Sequence, residues 1–132
     1  MLRTVRGLLV AGILAVAGCG GGPSDAEQVH ATVEAFGRAT AAKDYQRLCD
    51  SLLTPTLVEK IESVGLPCEV ALEKGLGDVR APTLTIGRIE VDGDRATAQI
   101  NSAAQGQPPS RDILQLQRVK GKWRIASLAG GR

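Results

Sequence analysis

Near Pro82 the spacing of apolar side chains changes from three or four residues to two, and no single type of element satisfies both spacings. Upstream, Val29, Val33, Phe36 and Ala39 recur at intervals that place them along one stripe of a helix. Downstream, Leu84 and Ile86 alternate, Ile89 and Val91 alternate on the other parity, and Ala96, Ala98 and Ile100 follow with the same period of two. The switch predicts an α+β fold in which N-terminal helices pack on one face of a curved antiparallel sheet of four to five strands.

Local signals punctuate the helical half. Ser24 with Glu27 three residues on is a capping box, so the first helix is expected over residues 26–42. Glu34, Arg38 and Lys43 fall off its apolar stripe, and His30, the single histidine, flanks it. Asp44 is a natural N-cap for a second, shorter helix whose apolar face carries Tyr45, Leu48, Cys49, Leu52 and Leu53. Thr54-Pro55 starts a third helix that runs to Val64, where Gly65 supplies the turn-off. A last helical piece opens at Pro67 and continues through Lys74, with Gly75 stopping it.

In the strand half, Gly87 sits where the parity changes, as at a β-bulge. Asp92-Gly93 marks a hairpin, and a loop of two or four residues there puts Ile89 and Val91 on the face of Ala96, Ala98 and Ile100. Residues 104–110, with Gly106, Pro108 and Pro109, read as a longer connection. If Lys120-Gly121 makes the next tight turn, Leu116 pairs with Ile125, Leu114 with Ser127, and Arg118 with Trp123 as a cross-strand cation-π pair.

The N-terminus has the build of a secretory signal: Arg3 and Arg6, an apolar segment from Gly7 to Ala17, then small residues. That segment is too short to span a bilayer, which takes about 20 residues. Val16-Ala17-Gly18-Cys19 resembles the bacterial lipoprotein pattern of an aliphatic residue, two small ones and a cysteine. The resemblance implies that residues 1–18 are a signal peptide and that Cys19 carries the acyl chains of a membrane anchor. Residues 19–23 would then be a flexible leash and residues 24–132 a single domain on the extracytoplasmic side. In an oxidising compartment the remaining pair, Cys49 and Cys68, is expected to form a disulfide, since the spacing is not that of a zinc site.

Removing residues 1–18 leaves 14 basic and 14 acidic side chains, a balance that argues against nucleic acid as partner. The charges are segregated, with net −5 over residues 24–78 and net +5 over residues 79–132. Arg111, Lys120, Lys122 and Arg124 give the last hairpin a basic surface.

The end of helix 1 at Lys43-Asp44, the stretch Val91-Asp92-Gly93-Asp94-Arg95-Ala96 and the stretch Lys120-Gly121-Lys122-Trp123-Arg124-Ile125 together resemble lipid-anchored members of the nuclear-transport-factor-2-like superfamily. The resemblance covers residues 25–129 and implies a curved sheet wrapped into a cone around a helical lid. The superfamily includes enzymes that resemble ketosteroid isomerase, whose chemistry needs polar groups converging inside the cone. Here the inward strand face reads as Ile89, Val91, Ala96, Ala98, Ile100, Leu114, Leu116 and Ile125, none of which moves a proton. Glu90, Asp92, Asp94 and Asp112 read as turn residues or as lying on the opposite parity, and Tyr45 is on a helix.

The expectation is a non-enzymatic envelope module without cofactor or metal. Its surface would be either the apolar cone near Ala96 and Ala98, taking an apolar small molecule, or the hairpin of Arg118, Lys120, Lys122, Trp123 and Arg124, taking an envelope protein or polymer. The alternative is a small isomerase- or cyclase-like enzyme in which Arg118 or Ser127 works with a helix residue.

Overall fold

The structure, a computed structural model, describes residues 21–128, so the expected signal peptide, Cys19 and Gly20 lie outside it, as do residues 129–132. Helix α1 (Asp25–Ala41) begins as its sequence dictates: the Ser24 hydroxyl accepts the Glu27 amide, and the Glu27 carboxylate accepts the Ser24 amide, each at 3.2 Å. It buries Val29, Val33, Ala35 and Ala39. At its end Lys43 takes a left-handed conformation (φ 55°), its amide donating to the Thr40 carbonyl and that of Asp44 to the Ala39 carbonyl. The Lys43 ammonium reaches 2.7 Å to the Gly77 carbonyl, which ties the end of α1 to the end of the last helix.

The expected second helix is divided. Asp44 caps a single turn, α2 (Tyr45–Arg47), which passes directly into a π-helical turn over Leu48–Leu52 that buries Leu48, Cys49 and Leu52. Leu53 then leaves in extended conformation and makes a one-residue parallel bridge to Ile125, with the Thr54 amide donating to the Ile125 carbonyl. The helix stops because Thr54 must cap the next one, α3 (Pro55–Glu62), by accepting the Leu57 amide at 3.1 Å. Helix α3 ends at Glu62, short of Val64, where Ser63 and Gly65 fold back onto the Lys60 and Glu62 carbonyls. Helix α4 (Cys68–Leu76) runs through Gly75 rather than stopping there, since glycine only weakens a helix whose other face is packed.

Cys49 and Cys68 form the expected disulfide, with Cα atoms 6.1 Å apart and a sequence separation of 19. It joins the π turn to the first residue of α4.

Among the described residues the sheet is a four-stranded antiparallel meander in the order β1 (Thr83–Asp92), β2 (Arg95–Ala104), β3 (Gln107–Val119), β4 (Lys122–Ser127). Two-residue loops join β1 to β2 through Gly93 and β3 to β4 through Lys120-Gly121, whose φ values of 50° and 78° suit the hairpin twist. Three irregularities bend the sheet. Gly87 and Arg88 stand opposite Gln99 alone, the bulge expected at the parity change. Pro108 and Pro109 fall at a second, between the pairs Ser102 to Ser110 and Ala104 to Gln107. The segment that reads from sequence as a connection is therefore strand apart from the turn at Gln105-Gly106, because a bulge beyond the reach of β4 asks neither proline for a ladder hydrogen bond. The third lies at Ala126: Leu116 pairs with Ile125 as expected, but Ser127 pairs with Gln115 and not with Leu114. The core gathers Val29, Val33, Leu48 and Leu53 from the helical side with Ala98, Leu114, Leu116 and Ile125 from the concave face.

Reduction of the Cys49–Cys68 disulfide, or Cys49→Ala with Cys68→Ala, should cost about 3 kcal/mol and lower the thermal midpoint by about 10 °C or more. Calorimetry with and without reductant measures the shift. Two free thiols titrated in the denatured, unreduced protein would remove its basis.

Candidate functional site

Two ends of the concave face have different fates. At the end carrying the β1–β2 and β3–β4 turns the space under α1 is filled. Arg118 sets its guanidinium 4.7 Å from the Trp123 ring centroid, 2.7 Å from Asp25 at the start of α1 and 3.6 Å from Asp94 in the first hairpin turn. The Thr32 hydroxyl reaches the Trp123 carbonyl at 3.4 Å, and the Arg118 amide donates to the Asp94 carbonyl at 2.8 Å. One cation thus fastens the first turn of α1 to two hairpins.

At the opposite end, beside the β2–β3 turn, a cavity of about 280 Å³ remains open. Its walls come from the second half of α1 (Phe36, Gly37, Thr40), from Leu48 and Leu53, from Leu72 and Leu76 of α4, and from the sheet at Leu84, Ile100 and Leu114. At Gly37 helix α1 runs close to β1: a Cβ placed there would meet the Leu84 Cβ at 3.5 Å, an ordinary van der Waals contact. Beyond Ile100, β2 offers the cavity only small side chains, Ser102, Ala103 and Ala104, which leave the gap unfilled. Phe36, expected in the core stripe, is only part-buried because it faces this space.

The mouth is polar on one side. Ser110 donates to Asp112 Oδ2 at 2.8 Å, and the hydroxyls of Ser102 and Ser110, cross-strand partners, are 2.8 Å apart. Since the Ser110 hydrogen goes to the carboxylate, Ser102 is the donor to Ser110. Asp112 is the one ionisable side chain among the described lining residues. Its position corrects the sequence reading: Asp112 pairs with Ile100, shares the inward parity of Leu114, and lines the cavity. Parity counted back from Leu114 and Leu116 reaches it once the segment before it is known to be strand.

The other candidate residues lie away from this mouth. Ala96 and Ala98 are buried in the core with Val29 and Val33 and do not line the cavity. Trp123 is buried, and Arg118 is engaged as described. Arg124 donates to the Asp50 and Leu53 carbonyls at 3.0 and 3.2 Å, closing the end of the π turn. Lys120 and Lys122 are exposed at the hairpin tip, and Arg111 donates to Asn101 Oδ1 at 3.3 Å. Ser127 is part-buried at the end of β4 and does not line the cavity. Tyr45 is part-buried and likewise lies outside the lining. His30 faces Glu34 one turn on at 3.6 Å, on the exposed side of α1. Among the described residues no group of three or more His, Cys, Asp or Glu is arranged to hold a metal ion.

A bent antiparallel meander closed by a helical layer over an apolar cavity is the nuclear-transport-factor-2-like fold, and comparison with solved structures shows the same fold. A nuclear-transport-factor-2-like protein of unknown function from Silicibacter pomeroyi superposes with a TM-score of 0.56 at 19% identity, over 76% of this chain and 89% of that one. A SEC-C motif containing protein from Rhodopseudomonas palustris gives 0.59 at 15% identity over 83% of each chain. A de novo designed protein of this fold gives 0.52 at 16% identity, over 79% of this chain and 85% of its own. No protein-family model matches the sequence, and no curated protein does.

Because Ala98 is fully buried away from the cavity, Ala98→Leu should overpack the core and cost about 1–3 kcal/mol, with a matching fall in thermal midpoint. A midpoint at or above that of the unaltered protein would show that space exists beneath α1 at this end too.

Proposed function

We propose that this chain is a lipid-anchored extracytoplasmic binding protein that holds a small apolar molecule in the cavity between α1, α4 and the β2–β3 end of the sheet. The cavity carries the reading: about 280 Å³, walled by leucine, isoleucine and phenylalanine, with a few polar groups at one side of its mouth. That volume sits near the lower end for ligand pockets and suits a compact ligand. The lipoprotein pattern ending at Cys19 and the disulfide support an extracytoplasmic location, since such bonds persist in oxidising compartments. The basic hairpin has less support as the working surface, because Arg118 and Arg124 are committed to contacts within the fold and leave Lys120 and Lys122 as its exposed charges.

A second reading, a small isomerase- or cyclase-like enzyme, is favoured by one observation: Asp112 brings a carboxylate, the group a general base requires, to the cavity wall. Turnover of a hydrophobic ketone or ester by the purified protein, abolished by Asp112→Asn, would move the assignment to an enzyme.

The binding reading predicts that native mass spectrometry of the purified protein finds a retained small molecule and that Ala104→Trp, which fills the cavity from its wall, loses it while the thermal midpoint stays nearly unchanged. Retention undiminished by Ala104→Trp would place the ligand elsewhere. The anchor is tested separately: Cys19→Ser should shift the protein from the detergent phase to the aqueous phase or leave it unprocessed, and behaviour identical to the unaltered chain would contradict lipidation at Cys19.

A further inference from the structure

We propose that the cavity is a length gauge for single-chain amphiphiles: it takes one alkyl chain of up to about eleven carbons, tail first, and leaves the polar head at the mouth. The proposal rests on the cavity being a binding site and adds the class and size of what it takes.

Burial sets the direction of entry. The deep wall consists of Leu48, Leu53, Leu72, Ile100 and Leu114, each of them aliphatic and buried. The side chains exposed at the opening include Thr83, Gln107 and Ser110. An occupant that lays hydrocarbon on the first set and keeps its head beside the second removes apolar surface from water without burying a polar group. The reversed pose strands the head against leucine with no hydrogen-bond partner. Phe36 is the one aromatic side chain among the described lining residues, so the walls offer no pair of rings to hold a planar ring system between them. A flexible chain follows aliphatic walls supplied by several elements.

Volume sets the length. An apolar cavity of about 150 Å³ holds benzene, and at the same packing about 280 Å³ holds roughly eleven carbons. Carbons beyond that number stand in the open mouth, where they stay in water and add little. Two lining positions fix the limit through the size of their side chains. Ala104, at the end of β2, is among the small residues that leave the gap, and a leucine there brings about three more carbons into it. Phe36 faces the same space from α1, and a leucine there withdraws about three.

Alkyl maltosides from hexyl to tetradecyl, each kept below its micelle-forming concentration, carry one uncharged head on chains of increasing length, which keeps charge out of the comparison. Titrated into the full chain in detergent-free buffer and followed by calorimetry, binding should tighten about fourfold per added carbon, the worth of one buried methylene, up to about eleven carbons and gain nothing beyond. Ala104→Leu should bring the break down by about three carbons, and Phe36→Leu should let the climb continue to tetradecyl. If affinity climbs through tetradecyl in the unaltered protein, or if neither leucine variant moves the break, the gauge is overturned, and loss of all binding in Ala104→Trp would still hold the cavity as the site. If no maltoside binds, or if Ala104→Trp binds them all as before, the cavity reading fails and takes the gauge with it. Should one leucine variant not fold, the other decides; should neither fold, the position of the break in the unaltered protein decides alone.

Discussion

Helix α1 can lie across the sheet because three unpaired insertions, at Gly87-Arg88, at Pro108-Pro109 and at Ala126, bend the strands towards it. A flat four-stranded sheet would meet a straight helix along a single line and leave Val29, Val33 and Ile125 in partial contact with water. In the bent sheet these side chains are fully buried, and burial of a side chain of this size is worth roughly 1.5–3 kcal/mol. The helix is also held at both ends. Asp25 meets Arg118 at its first turn and Lys43 meets Gly77 beyond its last. The first of these pairs is partly exposed, so its own electrostatic worth is modest; its use is to set where the helix begins relative to the hairpins.

The helical layer is stitched rather than densely packed. The π turn exists because the chain must pass from a helix capped at Asp44 to an extended residue at Leu53 within a short span, and the wider turn brings Leu48, Cys49 and Leu52 to the interior together. Arg124 closes the open carbonyls of that turn from the sheet side, and the disulfide closes it from α4. Two walls of the cavity, at Leu48 and Leu72, thereby belong to segments joined covalently within a few residues of each.

Much of this is legible in residue type and spacing alone. The change of period at Pro82, the capping box at Ser24, the bulge at Gly87 and the pairing of Arg118 with Trp123 are local consequences of the residues involved, and they appear where the spacing places them. The disulfide joins the two cysteines that the expectation of an acylated Cys19 leaves over. What spacing does not reveal depends on competition between neighbours. The split of the second helix is decided by Thr54 capping the third, and the strand character of Gln107–Val119 by prolines that fall at a bulge. That last point hides the polar group of the cavity. A connection over residues 104–110 would put Asp112 at a strand's frayed beginning, although two-residue periodicity puts it on the face of Leu114. Ala96 and Ala98 show the converse: small inward residues signal either a close helix or a void, and only three-dimensional packing says which end of the sheet has which.

The two ends of α1 give the molecule a direction. The helix opens at Ser24, beside Arg118 and the first and last hairpin turns, whereas Phe36 and Thr40, which face the cavity, lie twelve to sixteen residues further along it, about 18–24 Å away. Whatever restrains the residues before Ser24 therefore holds the molecule by its filled end. The cavity mouth is carried on the far pole, as the bowl of a ladle is carried on its handle. The open end of the molecule and the end at which the chain enters α1 are thus opposite ends of one helix.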